Sequence, residues 1–200
     1  HSEELPRIPD GCFVNKKFCT VVNVFREHGD KKLNIKVFGK ISKRDFVSTE
    51  ELVDQYFDFD SWPDYTTGSK SITFVESRPE TYIAENGKSY VAHYFDYWIK
   101  VPFPLNKMRV TGLSKYENVS QDYPQSLDSF AFSIVGDDSR GLKEYRGVVH
   151  ISDSTEDEEF FNLYFQVIVL PEISIGLSMA GPYIERPLSD IFVGMFGLSK

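Results

Sequence analysis

The stretch Phe160-Phe161-Asn162-Leu163-Tyr164-Phe165-Gln166-Val167-Ile168-Val169-Leu170, followed by Leu177, Ala180, Ile184, Leu188, Ile191 and Met195, decides the fold. Its first part is dense in aromatic and β-branched residues and reads as a strand. Its second part places apolar residues three and four apart, which predicts an amphipathic helix at the end of the chain. Pro182 suits the first turn of that helix, where its missing amide costs nothing. Pro187 is expected to kink it, because it removes an amide and crowds the preceding turn. The chain therefore ends on a long strand and a long helix that needs a sheet to lie on.

Working outward, the rest of that sheet is legible. Phe18 to Arg26 and Leu33 to Ser42 read as a hairpin around the turn signal His28-Gly29-Asp30, with Ile35, Val37 and Ile41 on one face. From Lys70 the pattern is nearly all strand: Tyr90 to Val101, Arg109 to Asn118, Ser129 to Val135 and Leu142 to Ser152 precede the final one. Glu85-Asn86-Gly87-Lys88 is expected to form a primed hairpin turn, and Asp137 to Gly141 and Ser154 to Glu159 to form further turns. Between the first and later strands, Ser48-Thr49-Glu50-Glu51 is a capping box. Leu52, Val53, Tyr56 and Phe57 follow at helical spacing, the helix stops near Asp58, and Asp60 to Tyr65 restarts as a second short helix ended by Gly68. The fold class is α+β: a curved antiparallel sheet, two short helices after the first strands, and a long C-terminal helix. Residues 1–17, broken by Pro6, Pro9 and Gly11, form an irregular arm, and residues 18–200 form one domain.

Composition narrows the function. Seventeen Phe and eleven Tyr stand beside two Trp and three Met among 200 residues, an aromatic surplus suited to a large apolar interior. A net charge of −8 argues against a nucleic-acid partner and against docking on anionic lipid by charge. No apolar run is long enough to span a bilayer. Cys12 and Cys19 are close enough in sequence to form a disulfide, or are two unrelated thiols; their spacing fits no zinc or redox motif. The start at His1-Ser2, without an initiator Met, and the cysteine pair favour an exported protein.

Three features resemble a known family. Val47-Ser48-Thr49-Glu50-Glu51-Leu52-Val53 through Phe59-Asp60-Ser61-Trp62-Pro63-Asp64-Tyr65 is similar to the opening of START-like domains, the Bet v-type helix-grip superfamily that also holds polyketide cyclases. Val101-Pro102-Phe103-Pro104-Leu105-Asn106 resembles the Pro-aromatic-Pro corner between two central START strands, and the closing helix after a long strand is the third match. The order of elements matches from about Leu33 to Lys200. One departure is expected: such domains carry an Arg-Asp pair after the corner, and Met108-Arg109 here lacks the acidic partner. The resemblance implies a sheet gripping the last helix, with a lipid, sterol or polyketide-like ligand between them.

The chain offers little for catalysis. No Gly-x-Ser-x-Gly elbow, phosphate loop, dinucleotide fingerprint or His-Glu-x-x-His helix is present, and no cofactor or metal is implied. The acidic run Asp153 to Glu159 lacks the alternating ligands and glycine of a calcium loop, so it reads as a solvated turn. Of the histidines, His1 is terminal, His28 lies in a turn, and His150 is expected on a solvated face. His93 falls on the more apolar strand face, where it meets either a ligand or a core partner. Asn118-Val119-Ser120 is a glycosylation sequon of the kind that arises often by chance.

The candidate ligand-binding residues are thus Tyr56, Trp62 and Tyr65 from the short helices, and His93, Phe95, Tyr97, Arg109, Phe130, Phe132, Tyr145 and Phe165 from the strands. Ile184, Leu188, Phe192 and Met195 join them from the last helix. Tyr97 and Tyr145 are placed to hold a polar head by their hydroxyls, and Arg109 an anionic one if it faces inward. The leading reading is a non-enzymatic binder or carrier of a hydrophobic small molecule. The alternatives are an aromatase/cyclase-like or hydrolase enzyme in the same cavity, and an interaction module with a filled core.

Overall fold

The protein is described by a computed structural model covering residues 5–46, 48–66, 71–102, 105–117, 126–135, 139–172 and 177–198, without the side chains at 117, 126–127 and 178–179. The strands are β1 (Phe18–Glu27), β2 (Asp30–Ser42), β3 (Ile72–Ile83), β4 (Ser89–Lys100), β5 (Lys107–Glu117), β6 (Ser126–Ile134), β7 (Leu142–Asp153) and β8 (Phe160–Pro171). The helices are α1 (Thr49–Phe57), α2 (Trp62–Tyr65) and α3 (Leu177–Phe196), with a single 3₁₀ turn at Phe59–Ser61. All eight strands form one antiparallel sheet in the order β1-β2-β8-β7-β6-β5-β4-β3. The helices lie on one face of it, as the resemblance implies. Among the described residues no helix is long and apolar enough to cross a membrane.

The β1–β2 hairpin closes on His28 (φ 52°) and Gly29 (φ 86°), and positive φ at both central residues is the primed turn that matches strand twist. The β3–β4 turn differs from expectation. Gly87 has φ 78°, Asn86 stays at negative φ, and the Gly87 amide donates to the Ala84 carbonyl at 2.9 Å while Ala84 N–H donates to Lys88 O. This is a three-residue loop with a glycine bulge, stabilised by the Lys88 amide donating to Asn86 Oδ1 at 3.0 Å.

Helix α1 starts where the capping box predicts, with the Ser48 hydroxyl accepting from the Glu51 amide at 3.3 Å. Helix α3 begins at Leu177, so Pro182 stands in its interior and not in its first turn, and the helix continues through both Pro182 and Pro187. Val47, Gly68, Phe103-Pro104, the sequon Asn118-Val119-Ser120 and Asp137-Asp138 lie outside the described residues.

Strand parity sorts the side chains. Leu33, Ile35, Val37 and Ile41 of β2, Phe95, Tyr97 and Ile99 of β4, Met108 and Val110 of β5, and Leu163, Phe165, Val167 and Val169 of β8 all enter the main core. Two glycines shape this inner surface: a Cβ at Gly112 would lie 2.3 Å from Phe95 Cζ, and one at Gly147 2.4 Å from Phe132 Cζ. Their bare backbones let both rings lie along the sheet.

The opposite face carries a small second core. Phe38 and Tyr164 pack there with Cys12, joined by Leu5, Ile8 and Phe13 of the N-terminal arm. Cys12 and Cys19 form a disulfide with Cα atoms 5.3 Å apart, fastening the arm to the start of β1. His150, expected in solvent, is buried on this side: its Nδ1 shares a 3.1 Å hydrogen bond with Ser129 Oγ and its ring lies parallel to that of Tyr164.

The disulfide closes a short loop, so its loss is expected to cost roughly 2–3 kcal/mol. The double variant Cys12→Ser/Cys19→Ser should unfold at lower denaturant with an almost unchanged slope. Unchanged midpoints, with and without reductant, would show that the arm contributes no stability through this bond.

Candidate functional site

The interior between sheet and helices is built from aromatic rings. Tyr56, on the buried face of α1, stacks on Phe130 of β6 with centroids 4.1 Å apart. Trp62 opens α2, where Pro63 fits a helix start, and its indole N–H donates to the Tyr56 carbonyl at 3.1 Å. The 3₁₀ turn between them drops Phe59 against Trp62 and Phe95, at 4.6 and 5.2 Å. From the other side α3 presents Phe192 to Phe165 of β8 at 4.5 Å and to Trp62 at 6.2 Å.

Within this shell lies a cavity lined by Tyr56, Phe59, Trp62, Phe95, Tyr97, Phe132, Tyr145, Phe165 and Leu188. Its volume is about 10 Å³, space for a single water-sized sphere. A second void of about 10 Å³ lies beyond Phe59, Trp62 and Tyr97, bounded by Pro63, Ile72 and Phe74. Among the described residues, the gripped space thus shows these two small voids. A larger hollow, about 410 Å³, lies on the outer face between the arm and the strand ends, lined by groups of both charges including Arg7, Asp10, Lys40 and Glu156.

Eight of the fifteen sequence candidates meet in the cavity lining: Tyr56, Trp62, Phe95, Tyr97, Phe132, Tyr145, Phe165 and Leu188. Phe130, Ile184, Phe192 and Met195 are buried in the core around it. Tyr65 is aside, accepting a 2.6 Å hydrogen bond from Gln55 and packed where a Gly194 Cβ would otherwise sit. His93 points inward but stacks on Phe57 at 4.8 Å, away from the lining, and burial lowers its pKa. Its Nδ1 is buried without a hydrogen-bond partner among the described residues.

Arg109 is a correction. Its neighbours Met108 and Val110 face the core, so Arg109 faces outward, where Nε and Nη2 grip both oxygens of Asp96 at 3.0 and 2.6 Å. No acidic residue stands beside Arg109 in the chain, as expected; its ion-pair partner is Asp96, one strand away in β4. Arg109 is therefore not available for an anionic group inside the grip.

Sequence reasoning missed four residues. Phe59 lies in a turn, where no periodicity operates. Ser114, Tyr116 and Asp128 share strand parity with the inward neighbours Val110 and Phe130, and that parity is the signal that finds them. Tyr56 and Ser114 share a buried 2.9 Å hydrogen bond, and Tyr97 and Tyr145 one of 3.1 Å. Burial pushes all three phenols upward, Tyr145 to about 12, so they remain neutral hydroxyls at ordinary pH. Tyr116 donates to Asp128 Oδ1 at 2.7 Å, while Asp128 Oδ2 is buried without a partner among the described residues.

Comparison with solved structures finds a similar fold in the human StarD13 (DLC2) lipid transfer and protein localization domain, with a TM-score of 0.51 at 9% identity over 94% of this chain and 87% of that one. Human STARD10 aligns over 86% of this chain and 73% of its own at 11% identity, TM-score 0.48. The Zhui aromatase/cyclase of a Streptomyces species aligns over 82% and 86% at 9% identity, TM-score 0.42. No protein-family model and no curated protein matches the chain. The chain has the START-type helix-grip fold.

Burial raises the Asp128 pKa above its usual carboxylate value, the Tyr116 hydrogen bond opposing part of the shift. A folded-state value above the unfolded one stabilises the protein at acid pH, and that stabilisation is lost as pH climbs from about 4 through the raised value. Asp128→Asn should therefore gain on the wild type as pH rises from about 4 to 7, measured as the difference in unfolding free energy at each pH. A difference that stays flat across this range would refute the assignment.

Proposed function

We propose that this chain is a binding or carrier protein for a hydrophobic small molecule held between the sheet and α3. The observation that carries the reading is the cavity lining: aromatic and aliphatic, without a charged residue among the described ones, yet holding the hydroxyls of Tyr56, Tyr97 and Tyr145. Packing alone would be served as well by Phe. Here the hydroxyls bond in pairs, Tyr97 with Tyr145 and Tyr56 with Ser114, and such a pair can open to a ligand's carbonyl or hydroxyl at little net cost.

Ligand pockets commonly measure roughly 300–1,000 Å³, more than the voids among the described residues give, and a lift of α3 would supply the room. The helix is suited to that: Pro182 and Pro187 remove two of its amide donors. The enzyme alternative would have to run on the tyrosine hydroxyls, since His93 and Arg109 stand outside the lining. The small size of these two voids favours a second reading, an interaction module with a filled core.

Trp62 lines the cavity and Trp98, the other tryptophan, does not, so Trp98→Phe leaves one internal fluorophore. Titrating that variant with a fluorescence-quenching fatty acid or sterol analogue should give saturable Trp62 quenching. Tyr97→Phe/Tyr145→Phe removes both partners of one bond and should weaken binding roughly tenfold with little loss of stability. If no analogue quenches Trp62 and organic extraction of the purified protein yields no apolar molecule, the filled-core reading replaces this one.

A further inference from the structure

The two edges of the sheet are built differently. At one, β3 carries Pro79, a register irregularity between Phe74 and Glu76, and Arg78 tied to Glu76 and Glu80 at 2.8 and 3.0 Å. Proline, bulges and charge are the devices that stop an edge from accepting another strand. At the other edge, β1 has none of these along Phe18-Cys19-Thr20-Val21-Val22-Asn23-Val24-Phe25, and charge appears only at its ends, in Lys16, Lys17, Arg26 and Glu27.

The hydrogen-bonding parity of β1 is set by its two-residue turn and by Lys40 N–H donating to Lys17 O at 2.8 Å. Odd-numbered residues bond to β2. The N–H and C=O groups of Phe18, Thr20, Val22, Val24 and Arg26 therefore point away from the sheet. Val22 and Val24 are 42% and 44% exposed, and Tyr183 on the adjoining part of α3 is 50% exposed. A Cβ at Gly181 would touch Val22, so strand and helix present one apolar border.

The geometry points to a second copy of this chain as the occupant of this edge, joined antiparallel through β1 about a twofold axis at Val22, giving one continuous sixteen-stranded sheet. Charge selects both the partner and the register. With Val22 opposite itself, Thr20 faces Val24, Phe18 faces Arg26, and Lys17 faces Glu27 of the second copy. Sliding by one hydrogen-bonded step in one direction sets Arg26 against Lys16; sliding in the other leaves Lys17 opposite the turn at Gly29. Only the central register sets Lys17 against Glu27 at both ends, a carboxylate that also meets Lys32 and Arg146 of its own chain at 3.2 and 3.3 Å, with Val22 and Val24 in the middle of the paired segment.

Sedimentation of the purified chain at about 100 μM should show a dimer. Val22→Lys/Val24→Lys should be monomeric at the same concentration, with a circular dichroism spectrum and melting point near those of the wild type. Val22→Cys, oxidised, should cross-link two chains in high yield, because directly opposed residues of a hydrogen-bonded pair lie within disulfide reach. Val91→Cys, on β4 away from this edge, should not. A monomeric wild type would overturn the proposal. So would a dimer that survives the double lysine change, or one in which Val22→Cys cross-links no better than Val91→Cys.

Discussion

The structure depends on covering one face of an eight-stranded sheet with very little helix. Helices α1 and α2 contribute nine and four residues and α3 twenty, so the inner face is wider than its cover. Aromatic rings close the difference. Phe192 reaches Phe165, Trp62 reaches both Tyr56 and Phe192, and Phe59 fills the corner between them. Bare backbone at Gly112 and Gly147 gives the rings of Phe95 and Phe132 room to lie along the sheet. The aromatic surplus in the composition is the sequence-level trace of this need, since no aliphatic side chain spans the same gap.

What the sequence revealed follows from which patterns are local. Strand alternation and the three-and-four spacing of α3 depend only on near neighbours, so elements and inward faces could be read directly. Arg109 shows where this stops. Its own parity, between Met108 and Val110, already places it outward, but its partner Asp96 is opposed only once the β4–β5 register is known. His150 was likewise assigned to solvent from its own strand, while its burial depends on Ser129 from β6 and Tyr164 from β8. Phe59 belongs to no periodic segment. The apolar spacing runs from Leu177, where the helix begins, so Pro182 lies five residues in and not in the first turn that proline preference suggests.

Polarity in the interior is arranged so that nothing inside asks for water. The phenols of Tyr56, Tyr97 and Tyr145 are buried and neutral, and each has a hydroxyl partner. Asp128 and His93 depart from this rule: one Asp128 oxygen bonds to Tyr116 and the other, like the inward-pointing His93 Nδ1, is unmet among the described residues. Asp96 and Arg109 lie on the outer face, where they neutralise each other in a bidentate pair. The helix-facing side of the sheet is thus suited to neutral, apolar company, and the outer side to water, salt and the N-terminal arm.

The small size of the voids among the described residues of the grip bears on the binding reading through stability. An empty apolar cavity costs about 24 cal/mol per Å³, so a permanently open pocket of about 300 Å³ would cost on the order of 7 kcal/mol. A domain's whole stability is commonly about 5–15 kcal/mol. A ligand-free grip therefore gains by closing, provided its polar groups find partners when it does. The hydroxyl pairs supply those partners, and a ligand that enters brings its own volume and its own dispersion contacts. On the binding reading, closure and binding would be two packings of one set of aromatic side chains, separated by the travel of a helix whose hydrogen-bond ladder already lacks two rungs.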